Sequence, residues 1–245
     1  MLPRGKLIVL EGIDGSGKRT QIEMLARALQ SHGIASARIS FPRYDGFFGT
    51  MVAQFLNGEF GPLAAVDPHF SALLYAGDRL EAKSEIEAVL DAGRIVLADR
   101  YIGSNLAHQG ARVPRRSRGA FVHWLKQLEY QVYGLPREDL VIYLRVPPSE
   151  ARRMVGKKAA RQYTKRKRDL QESNLKHLKE ASAVYDSLSH QPNWIRVECA
   201  EESPRNMKGR SARATSLRTP EAIHQEILAV IDRRVLLGLA GRARE

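Results

Sequence analysis

The run Gly12-Ile13-Asp14-Gly15-Ser16-Gly17-Lys18-Arg19-Thr20 has the make-up of a phosphate cradle. Its glycines allow successive backbone N–H groups to point inward at an anion, and a helix that follows adds the positive end of its dipole. Lys18 then reaches the β- and γ-phosphates of a nucleoside triphosphate. The strict pattern wants Ser or Thr directly after the lysine, as a magnesium ligand. Here Arg19 takes that place and Thr20 comes one later. Thr20 is therefore the displaced hydroxyl candidate for the metal. Arg19 becomes an extra cation beside the transferring phosphate, where it can stabilise developing charge. Asp99 follows the apolar run Ile95-Val96-Leu97-Ala98, a strand end from which a carboxylate can stand near magnesium. Tyr75 and Arg79 are four apart in a helical pattern and share a face. One can stack on a base while the other donates to a ring carbonyl; the same spacing also fits a surface pair that only supports its helix.

All of these groups handle phosphate or a base, and none looks like a general base. That pattern suits an acceptor whose oxygen needs no deprotonation. A phosphate monoester qualifies, being largely dianionic at neutral pH with a second pKa near about 6. The remaining work is to bring two anions together and to stabilise charge on the equatorial oxygens of the transition state.

The elements that position these groups alternate. Strand patterns at Leu7–Leu10, Ala37–Phe41, Ile95–Ala98, Leu140–Val146 and Trp194–Val197 are separated by helical patterns near 19–32, 69–92, 116–133, 149–155, 169–189 and 220–237. Such alternation predicts an α/β fold, a five-stranded parallel sheet covered by helices on both faces. Asp67-Pro68 and Thr219-Pro220 open helices as a capping residue followed by proline in the first turn. The chain of 245 residues reads as one domain, 1–245, with 43% hydrophobic residues and a net charge of +12. Nine Lys or Arg fall in 151–168 and five in 203–218, with no acid in either, so the body of the chain is close to neutral. Confined basicity of this kind argues against a nucleic-acid-coating surface. Residues 201–218 read as a mobile basic loop. No apolar run approaches a membrane span, and the amino terminus does not read as a signal peptide. The single Cys199 excludes a disulfide framework, which predicts a reducing, cytoplasmic setting.

The motifs Glu11-Gly12-Ile13-Asp14-Gly15-Ser16-Gly17-Lys18, Phe41-Pro42-Arg43-Tyr44, Asp78-Arg79 and Asp99-Arg100-Tyr101-Ile102-Gly103-Ser104-Asn105 stand in an order and spacing that resembles the thymidylate kinase family of P-loop nucleoside monophosphate kinases. The resemblance runs over about 6–198 and 219–237. It implies transfer of the ATP γ-phosphoryl group to dTMP, with Mg2+ and no nucleic-acid or membrane partner, by a chain that pairs as a homodimer. It assigns ATP to Gly12 through Thr20, and catalysis to Lys18, Arg19, Asp99, Arg100 and Arg161. It assigns dTMP to Asp14, Phe41, Arg43, Tyr44, Tyr75, Arg79, Arg100, Ser104, Asn105, His108 and Gln171, and the metal to Asp14, Asp99, Thr20 and Glu172. In this reading 151–168 is a mobile lid that closes over ATP, drawing on Arg161, Arg166, Arg168, Lys157 and Lys158, and Asp169 and Glu172 face the acceptor. His108 falls where relatives often carry Tyr beside the deoxyribose, and Arg145 where they often have Asp. Other readings of the same residues are a kinase for another monophosphate or for a deoxynucleoside, a nucleic-acid-stimulated P-loop ATPase, and a non-catalytic nucleotide-binding member.

Overall fold

The computed structural model describes residues 3–155, 175–202 and 215–236. Five strands, β1 (Leu7–Glu11), β2 (Ser36–Ser40), β3 (Ile95–Asp99), β4 (Leu140–Arg145) and β5 (Trp194–Glu198), form one sheet in the order β2-β3-β1-β4-β5. Every pairing is parallel. All five residues of β1 are buried, as are the first five of β4 and the first four of β3. Helices on both faces leave a central strand no wet side, so Leu7-Ile8-Val9-Leu10 is apolar without alternation. β1 lies between β3 and β4, so the chain leaves it toward one edge and later returns to its other side. Open sheets of this kind take their ligands at that switch point, at the carboxyl ends of the strands.

The helices are α1 (Lys18–Ser31), α2 (Phe47–Asn57), α3 (Pro68–Glu81), α4 (Lys83–Asp91), α5 (Ile102–Gly110), α6 (Arg118–Lys126), α7 (Pro148–Val155), α8 (Leu175–Leu188) and α9 (Pro220–Ile231). Asp67 and Thr219 cap α3 and α9 as their sequence predicts: the Asp67 carboxylate accepts from the His69 and Phe70 amides, and the Thr219 hydroxyl from that of Ala222.

Four features depart from the periodicity. The pattern at 69–92 is two helices, broken at Ala82. Around 116–133 a short 3-10 turn leads into α6, which gives way to a π-helical turn at Gln127–Val132. α2 has no counterpart among the predicted helices. Phe47-Phe48-Gly49-Thr50 is poor in helix formers, and tertiary packing makes the helix by seating Val52, Phe55 and Leu56 against Val66 and Leu74 in a second apolar cluster. Gly49 is required there, because a Cβ would lie 1.6 Å from the Arg43 carbonyl oxygen. Finally, the ends of the expected loop 201–218 form an antiparallel ribbon, β6 (Ala200–Glu202) with β7 (Thr215–Leu217). Residues 203–214 of that loop, and 156–168 of the expected lid, lie outside the described residues.

Candidate active site

β1 delivers the chain into the glycine loop, and α1 begins at Lys18. Gly12, Gly15 and Gly17 take φ of 146°, 88° and 88°, a region that side chains other than glycine rarely occupy. Gly15 is doubly constrained, since a Cβ would sit 2.3 Å from the Ala151 carbonyl oxygen on α7. The Lys18 ammonium is buried and donates to the carbonyl oxygens of Gly12 (2.9 Å) and Ile13 (3.1 Å) and to Ser16 Oγ (3.3 Å). The lysine thus folds back over the cradle from which it would meet phosphate. Arg19 does not do so. Its side chain is 86% exposed and pairs with Glu23 at 2.9 Å, one turn along α1. Thr20 is also exposed. In this arrangement Arg19 is turned to Glu23 and Thr20 lies open to solvent, so their place at the transferring phosphate and its metal stays a proposal.

Arg100, after β3, reaches into the same cradle. Its backbone adopts φ 69°, left-handed for a non-glycine residue, a conformation that persists where the surroundings over-determine it. The guanidinium donates to Asp14 Oδ1 (2.6 Å), the Gly12 carbonyl (3.1 Å), Ser104 Oγ (2.9 Å) and His108 Nε2 (3.5 Å). Burial alone would disfavour its charge, but Asp14 and the neighbouring acids outweigh burial and hold the guanidinium firmly protonated. Lys18 and Arg100 therefore share one acceptor, the carbonyl of Gly12. Asp99 ends β3 beside them in register with Leu10 and Ser40, and its Oδ1 is buried with no hydrogen-bond partner among the described residues. An orphaned carboxylate oxygen at this place fits a hard cation. No cluster of three acidic, His or Cys groups able to hold a metal occurs among the described residues.

α5 carries Ser104, Asn105 and His108, and β1 fixes its first turn. The buried Glu11 accepts the Tyr101 and Ser104 amides at 2.9 Å each through Oε1, and the Ser104 (2.6 Å) and Tyr185 (2.8 Å) hydroxyls through Oε2. A carboxylate at a helix amino terminus is favourable, and Tyr101 offers no side-chain cap of its own. His108 is buried beside Arg100, which can only donate. Its Nε2 must accept, so Nδ1 carries the proton and donates to His177 Nε2 at 3.3 Å. Burial, with the charge of Arg100, holds His108 well below its usual pKa. Burial and Arg112 take His177 down to about 4. Both rings are neutral at working pH.

The remaining candidates are committed to protein partners. Arg79 is buried and bound through Nε (2.5 Å) and Nη2 (2.7 Å) to both oxygens of Glu129. A buried guanidinium needs a counter-charge, so Arg79 is held by Glu129 and does not stand as an exposed surface pair with Tyr75. Tyr75 is half-buried, edge-on to Phe55 with ring centroids 6.4 Å apart. Arg43 faces an acidic trio, at 3.5 Å from Asp78, 4.0 Å from Glu81 and 3.2 Å from Glu85. Burial raises the Asp78 carboxyl against the lowering pull of the Arg43 amide. Phe41 is buried with its ring 5.9 Å from Tyr101; Tyr44 is partly buried against the second apolar cluster. Arg145 is taken up by Asp186 and Glu198. Arg161, Gln171 and Glu172, with the other lid cations and Asp169, lie outside the described residues. Sequence reasoning missed Glu129, Tyr185 and His177. Only Glu129 left a signal: Phe121, Leu125 and Glu129 are spaced by four, which puts a carboxylate in a buried stripe.

Comparison with known proteins adds the family. The family model for thymidylate kinase matches residues 10–210. A thymidylate kinase of Mycobacterium tuberculosis is 34% identical over 186 residues, covering 76% of this chain and 86% of its own. A probable thymidylate kinase of Pyrobaculum aerophilum is 35% identical over 199 residues, covering 79% and 94%. Among solved structures, the thymidylate kinase of Candida albicans superposes with a TM-score of 0.69 at 20% identity over 94% of this chain and 92% of its own, which speaks for the shared fold. With a matching model over most of its length and relatives at this identity, the chain belongs to the thymidylate kinase family.

Proposed function

We propose that this chain is an ATP-dependent kinase that moves the γ-phosphoryl group of ATP onto dTMP, giving dTDP and ADP. The supporting observation is the meeting of Lys18 and Arg100 on the carbonyl of Gly12. Two cations on one backbone oxygen face one space, and that space is bounded by the amides of the glycine loop. Lys18 leaves its carbonyl partners for the β- and γ-phosphates. Arg100 exchanges part of its contact with Asp14 for phosphate oxygens of the acceptor, bringing two anions into line. Both then stabilise charge on the transferring group. Asp99 and Asp14 would hold magnesium, which when bound neutralises the β- and γ-oxygens. No proton need be removed from the acceptor. His108 and Ser104 steady Arg100, while Tyr75 and Asn105 meet the base.

We further propose that two copies pair through α3, where Phe70, Leu73 and Leu80 lie exposed with Phe60 edge-on to Phe70. Sedimentation should show a dimer that F70E/L73E dissociates. A free, buried Cys199 fits a reducing compartment such as the cytoplasm, and among the described residues no helix is long and apolar enough to cross a membrane. The deciding assay couples ADP release to a panel of nucleoside monophosphates. Acceptor-dependent release that is strongest with dTMP supports the reading, whereas release indifferent to any acceptor overturns it.

A further inference from the structure

Asn105 is buried on α5, and its amide has only one possible orientation. Nδ2 donates to the Ala72 carbonyl at 3.0 Å and to Glu129 Oε1 at 2.9 Å. Both partners are pure acceptors, so the carbonyl end of the amide cannot face them. That end is left over: Asn105 Oδ1 has no hydrogen-bond partner among the described residues. Glu129 cannot yield by turning, because Arg79 grips both of its oxygens and the pair is sealed from solvent, 2% and 0% exposed. A buried carbonyl without a donor is costly, and a site tolerates one where a ligand completes the bond.

We infer that Glu129 is a positioning residue for base selection. By holding the Asn105 amide it leaves an acceptor, and no donor, for the incoming base. A base with an N–H on its pairing edge completes the bond, as thymine and uracil do at N3. Cytosine presents a lone pair at N3 and meets carbonyl against lone pair. This inference rests on Asn105 meeting the acceptor base, as proposed above. Glu129 would touch no substrate and would act through Asn105.

The test compares kcat/KM for dTMP and dCMP in the wild type, Glu129→Gln and the double variant R79M/E129M. Where dCMP turns over too slowly, its Ki against dTMP replaces the rate constant. A glutamine cannot accept two bonds from Arg79 and one from Asn105 at once, so the Asn105 amide is freed to turn. The double variant removes the ion pair as a unit, leaving no lone buried charge to unfold the chain, and leaves Ala72 as the only acceptor on Nδ2. The dTMP-to-dCMP preference is expected to fall by about tenfold or more in both variants, mainly through loss with dTMP. An equal loss with both nucleotides, leaving the preference unchanged, means that Glu129 only braces the fold and overturns the inference. A wild type that ignores dTMP defeats the underlying functional reading instead, and the two failures are told apart by that control.

Discussion

Glu11 offers a sharp test of how the sheet sets the acceptor helix. Replacing it with leucine removes an acceptor from two backbone amides, Tyr101 and Ser104, and from two hydroxyls. The hydroxyls can fall back on one another, since Ser104 Oγ and Tyr185 Oη are already 3.0 Å apart. The amides have no such recourse, and each buried orphan N–H costs about 1–3 kcal/mol. Glu11→Leu should therefore lose about 4 kcal/mol, a large part of the roughly 5–15 kcal/mol a domain of this kind holds. Glu11→Gln keeps one oxygen for both amides and turns its NH2 toward hydroxyl oxygens that can accept, so it should lose only about 1 kcal/mol. Urea denaturation gives both values from the shift in midpoint at unchanged slope. Because α5 carries Ser104, Asn105 and His108, the leucine variant should also raise KM for the acceptor more than KM for ATP. If leucine proves within about 1 kcal/mol of glutamine, the amides are satisfied elsewhere and the capping argument fails.

Three further outcomes follow. Lys18→Ala should abolish turnover, by on the order of 3–5 kcal/mol of transition-state stabilisation, with an unchanged melting profile; near-normal turnover would refute the assignment. Gly15→Ala meets both a φ of 88° and a carbonyl 2.3 Å from the new methyl, so calorimetry should find it destabilised by about 2 kcal/mol or more, with ATP binding impaired. Burial, partly offset by the Tyr130 hydroxyl at 2.6 Å, lifts the Glu138 carboxyl to about 7. Its stabilising share is then whole below the ordinary value near 4.5 and lost as pH rises through about 7. The stability of Glu138→Gln relative to the wild type should climb over that window by at most on the order of 3 kcal/mol, and a difference that stays flat with pH would contradict it.

How much of this could be read from the sequence depends on how local each cause is. The central strands β1, β3 and β4 were legible because burial on both sides makes each a nearly uninterrupted apolar run. The glycine loop was legible because positive φ is written in residue type at Gly12, Gly15 and Gly17. The break between α3 and α4 was not, since Ala82 carries neither glycine nor proline. Arg43 ties Asp78 and Glu81 before that break to Glu85 after it, and no local pattern records that. α2 is a helix by virtue of what it packs on. The partner of Arg79 was illegible for the same reason: Glu129 is 50 residues away, and a spacing of four with Tyr75 says nothing of which way the guanidinium turns.

The three arginines of the acceptor motifs share one constraint, since a guanidinium removed from water must be paired before any substrate arrives. What distinguishes them is whether a phosphate could take the partner's place. Arg79 and Glu129 are sealed, at 2% and 0% exposure, so exchange would require opening the α3 interface, and the pair serves to orient. Arg43 is 22% exposed but faces three carboxylates, which screen it from an incoming anion more than they offer it. Arg100 and Asp14 are 14% and 22% exposed, and Arg100 has backbone carbonyl, hydroxyl and imidazole partners that keep it aimed while a carboxylate is traded for phosphate. By this ordering we propose that Arg100 would meet the acceptor phosphate first, Arg43 only if its acidic trio opens, and Arg79 not at all.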